Sequence, residues 1–558
     1  MPRRRAIKYI GVGAAAIGLG LAGVYFGTRP STTPSTTSSA TATQSSISEM
    51  TSSSSEVYGG SLMFYFEGEP PSLNPLANPS DFCQCVAGAV FDRLISRDFD
   101  MNFFPDLAKS MPTISPDGLT VDFDLVENAA WHDGEPFTSD DVLFTFNEAS
   151  PKVYGPFSDQ FGEFESVTAP DKYSVTFKLK QPNPDFLTYL SQVQGVCIVP
   201  KHLLEGVDLT QSNSFDTQPV GTGPFKFKEW KKGASITVEK NPNYFMAGKP
   251  HLDRIIYKVI QSDSAAIQAY KTGDLDYLWY VGYSAANELK NWPNTLVAAP
   301  DAPTLPNWKW QFNLNDPILK KKEVRQALYY GTNQQDFLPK VFYGYGTLLT
   351  GPLANASFMS DYYNPDVQRY PYDVSKANKM LDDAGYPRDS TGKRFTLSNK
   401  LPNFDPFIAQ STLWRDQLSL IGVDLVNTVQ EDTVWLEDVY TTGKFQIDTV
   451  NYYAGPTPTD ALGYLQSKNI NKGYFLNNMG YSNATVDDLM ERQRTESDKT
   501  KRVQMIREVQ RIVMEDPPEY YMICLSPLLA WPTWFHGMPI PVNNPAQMYL
   551  DVWTEKPR

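Results

Sequence analysis

Histidine and cysteine are scarce in this chain, with four of each among 558 residues. His132, His202, His251 and His536 lie far apart, and Cys83-Gln-Cys85 is not a zinc spacing, so a protein-built metal site lacks ligands. No Gly-x-Ser-x-Gly, no His-Glu-x-x-His and no Gly-x-x-x-x-Gly-Lys-Ser/Thr occurs, which removes the usual marks of serine hydrolases, zinc proteases and phosphate-loop enzymes. Gly221-Thr-Gly-Pro224 looks like a phosphate loop, but Phe225-Lys-Phe227 alternates behind it, so it reads as a turn into a strand. Positive charge is also short. Lys and Arg number 49 against 63 Asp and Glu, a formal net charge of −14. Phosphate contacts need clustered Lys and Arg, so nucleic acid is excluded as a partner. The balance suits a soluble surface that repels its neighbours. Nothing in the residues asks for a cofactor.

Aromatic residues are plentiful at 13% of the chain, enough for a large core and an aromatic-lined cleft. The N-terminus has its own texture. Arg3-Arg4-Arg5 precedes an apolar run from Tyr9 to Phe26, roughly 18 residues, on the border between a signal segment and a membrane span. The basic flank places the remaining chain outside the membrane. Residues 1–30 therefore read as a signal or anchor, exported by the general route or, given Arg4-Arg5, the twin-arginine route. Residues 31–56, rich in Ser and Thr, cannot bury apolar area and read as a disordered stalk. The four cysteines allow three full pairings, and disulfides and buried thiols both remain open.

From Val57 onward the pattern is that of a folded α/β body. Ser61–Phe66, Thr120–Leu125 and Ser174–Leu179 read as strands, and Phe225–Trp230 with Ala234–Glu239 as a hairpin around Lys232-Gly233. Helices are expected over Cys85–Arg93, Leu143–Phe146 behind a Ser139-Asp-Asp cap, Glu323–Tyr330, Val374–Ala384, Ser411–Leu420, Val486–Gln493 and Lys499–Glu515. Val423–Val426 reads as a strand, and Trp308 and Trp310 alternate on another, facing the same side.

Five phrases carry more. They are Glu69-Pro-Pro-Ser-Leu-Asn-Pro-Leu76, Val90-Phe-Asp-Arg-Leu-Ile95, Trp131-His-Asp-Gly-Glu-Pro-Phe-Thr-Ser-Asp-Asp-Val142, Pro219-Val-Gly-Thr-Gly-Pro-Phe225 and Val324-Arg-Gln-Ala-Leu328. In this order they resemble the extracytoplasmic solute-binding proteins of family 5, the dipeptide- and oligopeptide-binding type of ABC importer. The resemblance implies a periplasmic-binding-protein-like α/β fold of type II, with two lobes, an inserted subdomain and a cleft between the lobes. Lobe I would span 57–306 with the insert at about 97–213, lobe II 307–525, and 526–558 would return to lobe I. The crossings would fall near Pro306–Phe312 and Leu525–Trp531, forming a hinge. His132 becomes part of a structural turn rather than a catalytic group. No Cys precedes Cys83, so the lipid-attachment site common in the family is absent, and an uncleaved N-terminal helix becomes the expected tether, with release after cleavage as the alternative.

The implied function is solute capture for delivery to membrane permease subunits, by a monomer and without catalysis; a sensory or structural surface protein of the same fold is the alternative of another class. Peptide binders of the family hold the ligand's α-ammonium with an aspartate after an aromatic residue. Here the matching stretch is Asn451-Tyr-Tyr-Ala-Gly-Pro-Thr-Pro-Thr-Asp460, where that position falls at Gly455 or Pro456 and Asp460 looks too far along. An unpaired buried ammonium costs several kcal/mol, so a neutral oligosaccharide is expected in preference to a peptide. It would stack on Trp308, Trp310 and Tyr452 or Tyr453, with Asn74, Phe82 and Trp531 as further contacts and Asp460 as the reserve ammonium partner.

Overall fold

The computed structural model describes residues 59–98, 101–155, 157–161, 164–299, 306–356, 359–453, 455–525, 527–538 and 549–557. The proposed anchor and stalk lie outside these residues. Among the described residues no helix is long and apolar enough to cross a membrane.

The fold is α/β and two-lobed, built around three main apolar cores. The first surrounds a four-stranded sheet ordered Ser61–Phe66, Arg254–Val259, Ser235–Lys240, Phe225–Lys231. Phe64, Phe66, Tyr257, Tyr277 and Trp279 fill it. The second surrounds a smaller antiparallel sheet ordered Thr113–Ile114, Thr120–Asp124, Ser174–Leu179, Phe164–Asp171. Val121 and Phe123 point inward while Asp122 and Asp124 face solvent, the alternation a half-buried strand requires. The third core surrounds a six-stranded mixed sheet ordered Thr347–Leu348, Glu519–Cys524, Pro306–Phe312, Ile447–Tyr453, Phe395–Pro402, Val423–Gln430. The Lys499–Glu515 helix lays Ile506, Val509 and Val513 on that core at helical spacing.

Two segments pass between the first and third cores. Thr295–Ala298 pairs with Leu529–Pro532 on the first-core side, and Leu528–Ala530 belong to that core. Pro306–Phe312 pairs with Glu519–Cys524 in the third, to which Ile523–Leu525 belong. The chain therefore passes between the first and third cores twice.

Local chemistry explains where elements start. The helix expected over Cys85–Arg93 runs from Asp81 to Val90, because the Ser80 side chain accepts from the Cys83 amide as an N-cap. The helix after Phe137 is capped by Thr138, not Ser139. Thr138 and Asp141 bond each other's backbone in a reciprocal box. The helix expected from Ser411 starts a turn and a half earlier at Asp405, with Pro406 in its first turn, where a missing N–H costs nothing.

The Trp131-His132 phrase ties two regions together. The Gly221 amide donates to His132 Nδ1 at 3.2 Å, and Nε2 meets the Gly223 carbonyl at 3.0 Å. Burial lowers the His132 pKa to about 4, so the ring stays neutral and serves as a brace. Gly221 is there for space: a Cβ on it would lie 1.8 Å from the Val90 carbonyl oxygen. The four cysteines are buried thiols, none joined in a disulfide.

Candidate functional site

The strand Pro306–Phe312 separates two chemistries by its pleat. Trp308, Trp310 and Phe312 face the third core. Trp310 is fully buried and stacks on Trp414 with centroids 4.0 Å apart. Trp308 is 3% exposed and packs on Phe407 at 4.5 Å and Phe342 at 5.4 Å. Neither ring has a free face for a sugar. The two tryptophans do share a side, as alternation requires, but it is the core side.

On the opposite face Asn307, Lys309 and Gln311 are buried as well. Lys309 Nζ lies 2.7 Å from Glu519 Oε2, with both side chains at most 2% exposed. Nζ also sits 3.9 Å above the Tyr464 ring. Beside them Asp448 accepts from Trp435 Nε1 at 2.6 Å. Burial pushes the Asp448 carboxyl up to about 8, and the neighbouring Glu519 charge adds to the shift.

The other expected contacts scatter. Asn74 is a buried turn residue whose Oδ1 accepts from the Leu76 amide at 3.1 Å and whose Nδ2 reaches Asp216. Phe82 is half-buried in the first core, 5.1 Å from Phe66 and 5.8 Å from Trp279. Trp531 pairs through its backbone with Leu296 and rests near Tyr277 at 6.0 Å. Tyr452 and Tyr453 end the Ile447–Tyr453 strand, opposite Asn307 and Pro306; their side chains lie outside the described residues. Trp308 and Trp310 thus belong to one core, Phe82 and Trp531 to another.

The loop after Tyr453 holds the informative geometry. Gly455 has φ +69°, and a Cβ there would lie 2.3 Å from Asp460 Cβ and 3.1 Å from its Cγ. The chain folds back, so Asp460 lies alongside Gly455 although five residues separate them. The Thr457 hydroxyl caps the Pro458–Gly463 helix by accepting from the Asp460 amide, and donates to Asp460 Oδ2 at 2.7 Å. Tyr189 OH, from the second core, donates to Asp460 Oδ1 at 3.4 Å. No Lys or Arg lies within ion-pair distance of Asp460 among the described residues. Burial raises its pKa to about 7, against the hydrogen bond from Thr457 and with help from the negative Asp185.

Sequence reasoning missed the groups around this loop. Asp185, Tyr189 and Arg502 converge on it, yet Asp185 precedes a short helix and reads locally as a cap. On the first core, Glu67, Asp81 and Asp263 form an acidic neighbourhood with Tyr65, whose OH donates to Asp263 at 2.9 Å. Burial lifts Glu67 to about 7, with Asp263 and Asp81 adding to it.

Residues 102–474 match the family model described as bacterial extracellular solute-binding proteins, family 5 Middle. The oligopeptide-binding protein AppA of Bacillus subtilis is 28% identical over 491 residues, covering 86% of this chain and 89% of that protein. Its structure in complex with a nonapeptide superposes with a TM-score of 0.72 at 26% identity, over 90% of this chain and all of that one (100%). The ABC transporter substrate-binding protein CtaP of Listeria monocytogenes gives a TM-score of 0.79 at 26% identity, over 89% of this chain and 100% of that one. NikZ of Campylobacter jejuni, in complex with Ni(L-His), gives 0.73 at 26% identity, over 86% of this chain and 95% of that one.

Proposed function

Because the chain belongs to the bacterial extracellular solute-binding proteins of family 5, we propose that it captures oligopeptides for an ABC importer and that Asp460 takes the ligand's α-ammonium. One observation carries this reading. The expected acid position falls at Gly455 or Pro456, and Asp460 lies against Gly455, filling the room a side chain there would need, which supports it as the stand-in. A carboxylate with no ion pair among the described residues, in only the longer-range field of Arg97, is a fit partner for an ammonium, and a charge-assisted hydrogen bond is about twice as strong as a neutral one. The oligopeptide-binding relative, similar over most of its length, supports peptide over the oligosaccharide expected from the aromatics. The burial of Trp308 and Trp310 takes away two of the rings on which that expectation stood.

The three cores support a division into lobes. Lobe II takes the third core, about 307–525; lobe I takes the first core with the second as its insert, and 526–558 return to it. The N-terminal segment tethers the body to the outer face of the membrane, above which the Ser/Thr-rich stalk gives it reach. N-terminal sequencing of membrane-bound protein checks this: a mature start at Ser31 or later means cleavage.

The ligand test is calorimetry with a nonapeptide and its N-acetylated form. Removing one partner of a buried charge pair costs about 2–5 kcal/mol. Acetylation and Asp460→Asn should therefore each weaken binding by about 30-fold or more, and the two together by little more than either. Equal binding of free and acetylated peptide would remove Asp460 from the site. Binding of oligosaccharides alone would restore the sugar reading.

A further inference from the structure

Asp185 and Arg502 are 317 residues apart in sequence and belong to different cores, yet they form a buried ion pair. Arg502 Nη2 donates to Asp185 Oδ2 at 2.6 Å, with side chains 4% and 7% exposed. Asp185 precedes the Phe186–Leu190 helix, whose rings pack in the second core. Arg502 lies on the Lys499–Glu515 helix, whose apolar stripe packs in the third. The pair is therefore a bond between lobes, beside the Tyr189–Asp460 contact.

Its surroundings are lopsided. On the third-core side Arg502 is held without help from Asp185. Its Nε donates to Gln493 Oε1 at 3.0 Å, and Gln493 Nε2 in turn donates to Thr459 Oγ1 at 2.9 Å. Thr459 Oγ1 donates to Asp185 Oδ2 at 2.6 Å. A socket of one guanidinium and one hydroxyl thus waits on the Pro458–Gly463 and Lys499–Glu515 helices. Asp185 is the plug. It stands at an N-cap position, where an aspartate ordinarily accepts from its own helix amides, yet its side chain makes no such bond. Its carboxylate goes across the seam instead. The adjoining pocket, lined by Asp185, Tyr189, Thr459 and Arg494 among others, measures about 10 Å³, room for at most one water.

We infer that the Asp185–Arg502–Thr459 contact is a polar latch that holds the inserted subdomain against lobe II in the closed state, so that groups beside the proposed anchor Asp460, and not the anchor alone, set how long the ligand stays. A buried pair gains little net stability over water, because both charges lose hydration. It is directional, however, and closes only when lobes arrive in one register. When the lobes part, both charges rehydrate and the socket keeps its shape through Gln493. The latch thus favours one closed geometry at small net free energy, which lets the cleft reopen. Truncating one partner of such a pair acts chiefly on dissociation.

The test has two arms, and only the second rests on the peptide reading above. In the first, Glu165→Cys and Gln504→Cys, both at exposed positions on opposite sides of the seam, carry spin labels; the native thiols are buried and stay unlabelled. Pulsed-dipolar distances are compared in otherwise native protein, in Asp185→Asn and in Thr459→Val, without ligand. The latch requires a short-distance population that shrinks in both variants. Identical distributions in all three, with circular dichroism showing the native fold, overturn it. In the second arm, nonapeptide dissociation should speed up about 10-fold or more in Asp185→Asn while association stays within about 3-fold. An unchanged dissociation rate overturns the link between latch and ligand lifetime. If no peptide binds at all, the function proposal fails while the distance arm still decides the latch.

Discussion

Trp310 is stacked on Trp414 and fully enclosed, so its role is packing. Trp310→Ala should cost about 3–5 kcal/mol of stability, the range for emptying a large aromatic site. Denaturant unfolding checks this, and a variant still folded should bind nonapeptide as tightly as the native protein. Asp460, the proposed ammonium partner, should behave oppositely: its substitution should touch binding. With its carboxyl near 7 in the free protein, the ionised form that attracts an ammonium fills as pH rises from 5 to 8. Nonapeptide affinity should climb from pH 5 to about 7 and fall again above about 8 as the peptide's α-ammonium loses its proton, and the rise should vanish in Asp460→Asn, as calorimetry at several pH values would show. Asp448 gives a stability counterpart. Its folded pKa of about 8 lies above the ordinary 3.8, so its contribution to stability is present below pH 4 and lost as pH rises through 8. Asp448→Asn should be favoured over the native protein by a margin that widens from pH 5 to pH 8 in urea titrations. At this scale the sequence was half legible. Alternation of Trp308 and Trp310 correctly put both on one side of a strand. Which side faces the ligand was not written there, because Asn307, Lys309 and Gln311 are buried on the other. A strand enclosed on both faces hides its orientation from any local pattern.

At the scale of elements, strands and helices were readable because each depends on near neighbours. The hairpin around Gly233 and the Lys499–Glu515 helix stand where alternation and caps put them. The closeness of Asp460 to Gly455 was not legible, because spacing along the chain was taken for distance in space. A loop with φ +69° at Gly455 folds back and cancels that spacing. Glycines also show how docking of elements differs from local conformation. Gly233→Ala at φ +71° meets no atom within 4 Å, so only the left-handed backbone penalty of about 1–2 kcal/mol applies. Gly221→Ala drives a Cβ into the Val90 carbonyl, where overpacking adds about 1–3 kcal/mol or more and the His132 brace is pushed aside. Calorimetry should rank Gly221→Ala well below Gly233→Ala in melting temperature.

For the whole molecule, the ordered phrases carried the fold, since they mark surfaces where distant segments meet. What they could not carry was the pairing across the seam. Asp185 and Arg502 have no sequence relation to each other, and only the docked lobes bring them together. The strands flanking the two passages between first and third cores pair antiparallel, and the proposed hinge there would let the lobes bend without breaking either core. Small-angle scattering should show a smaller radius of gyration at saturating nonapeptide, and an unchanged radius would mean the lobes do not close on it.

The four buried, unbridged thiols reach further than packing. A body with no cross-link to form needs neither an oxidant nor a disulfide isomerase, so its folding can finish on either side of the membrane. Transport across the bilayer as an already folded particle is then as open to it as threading, and reducing agents should leave its melting temperature where it was.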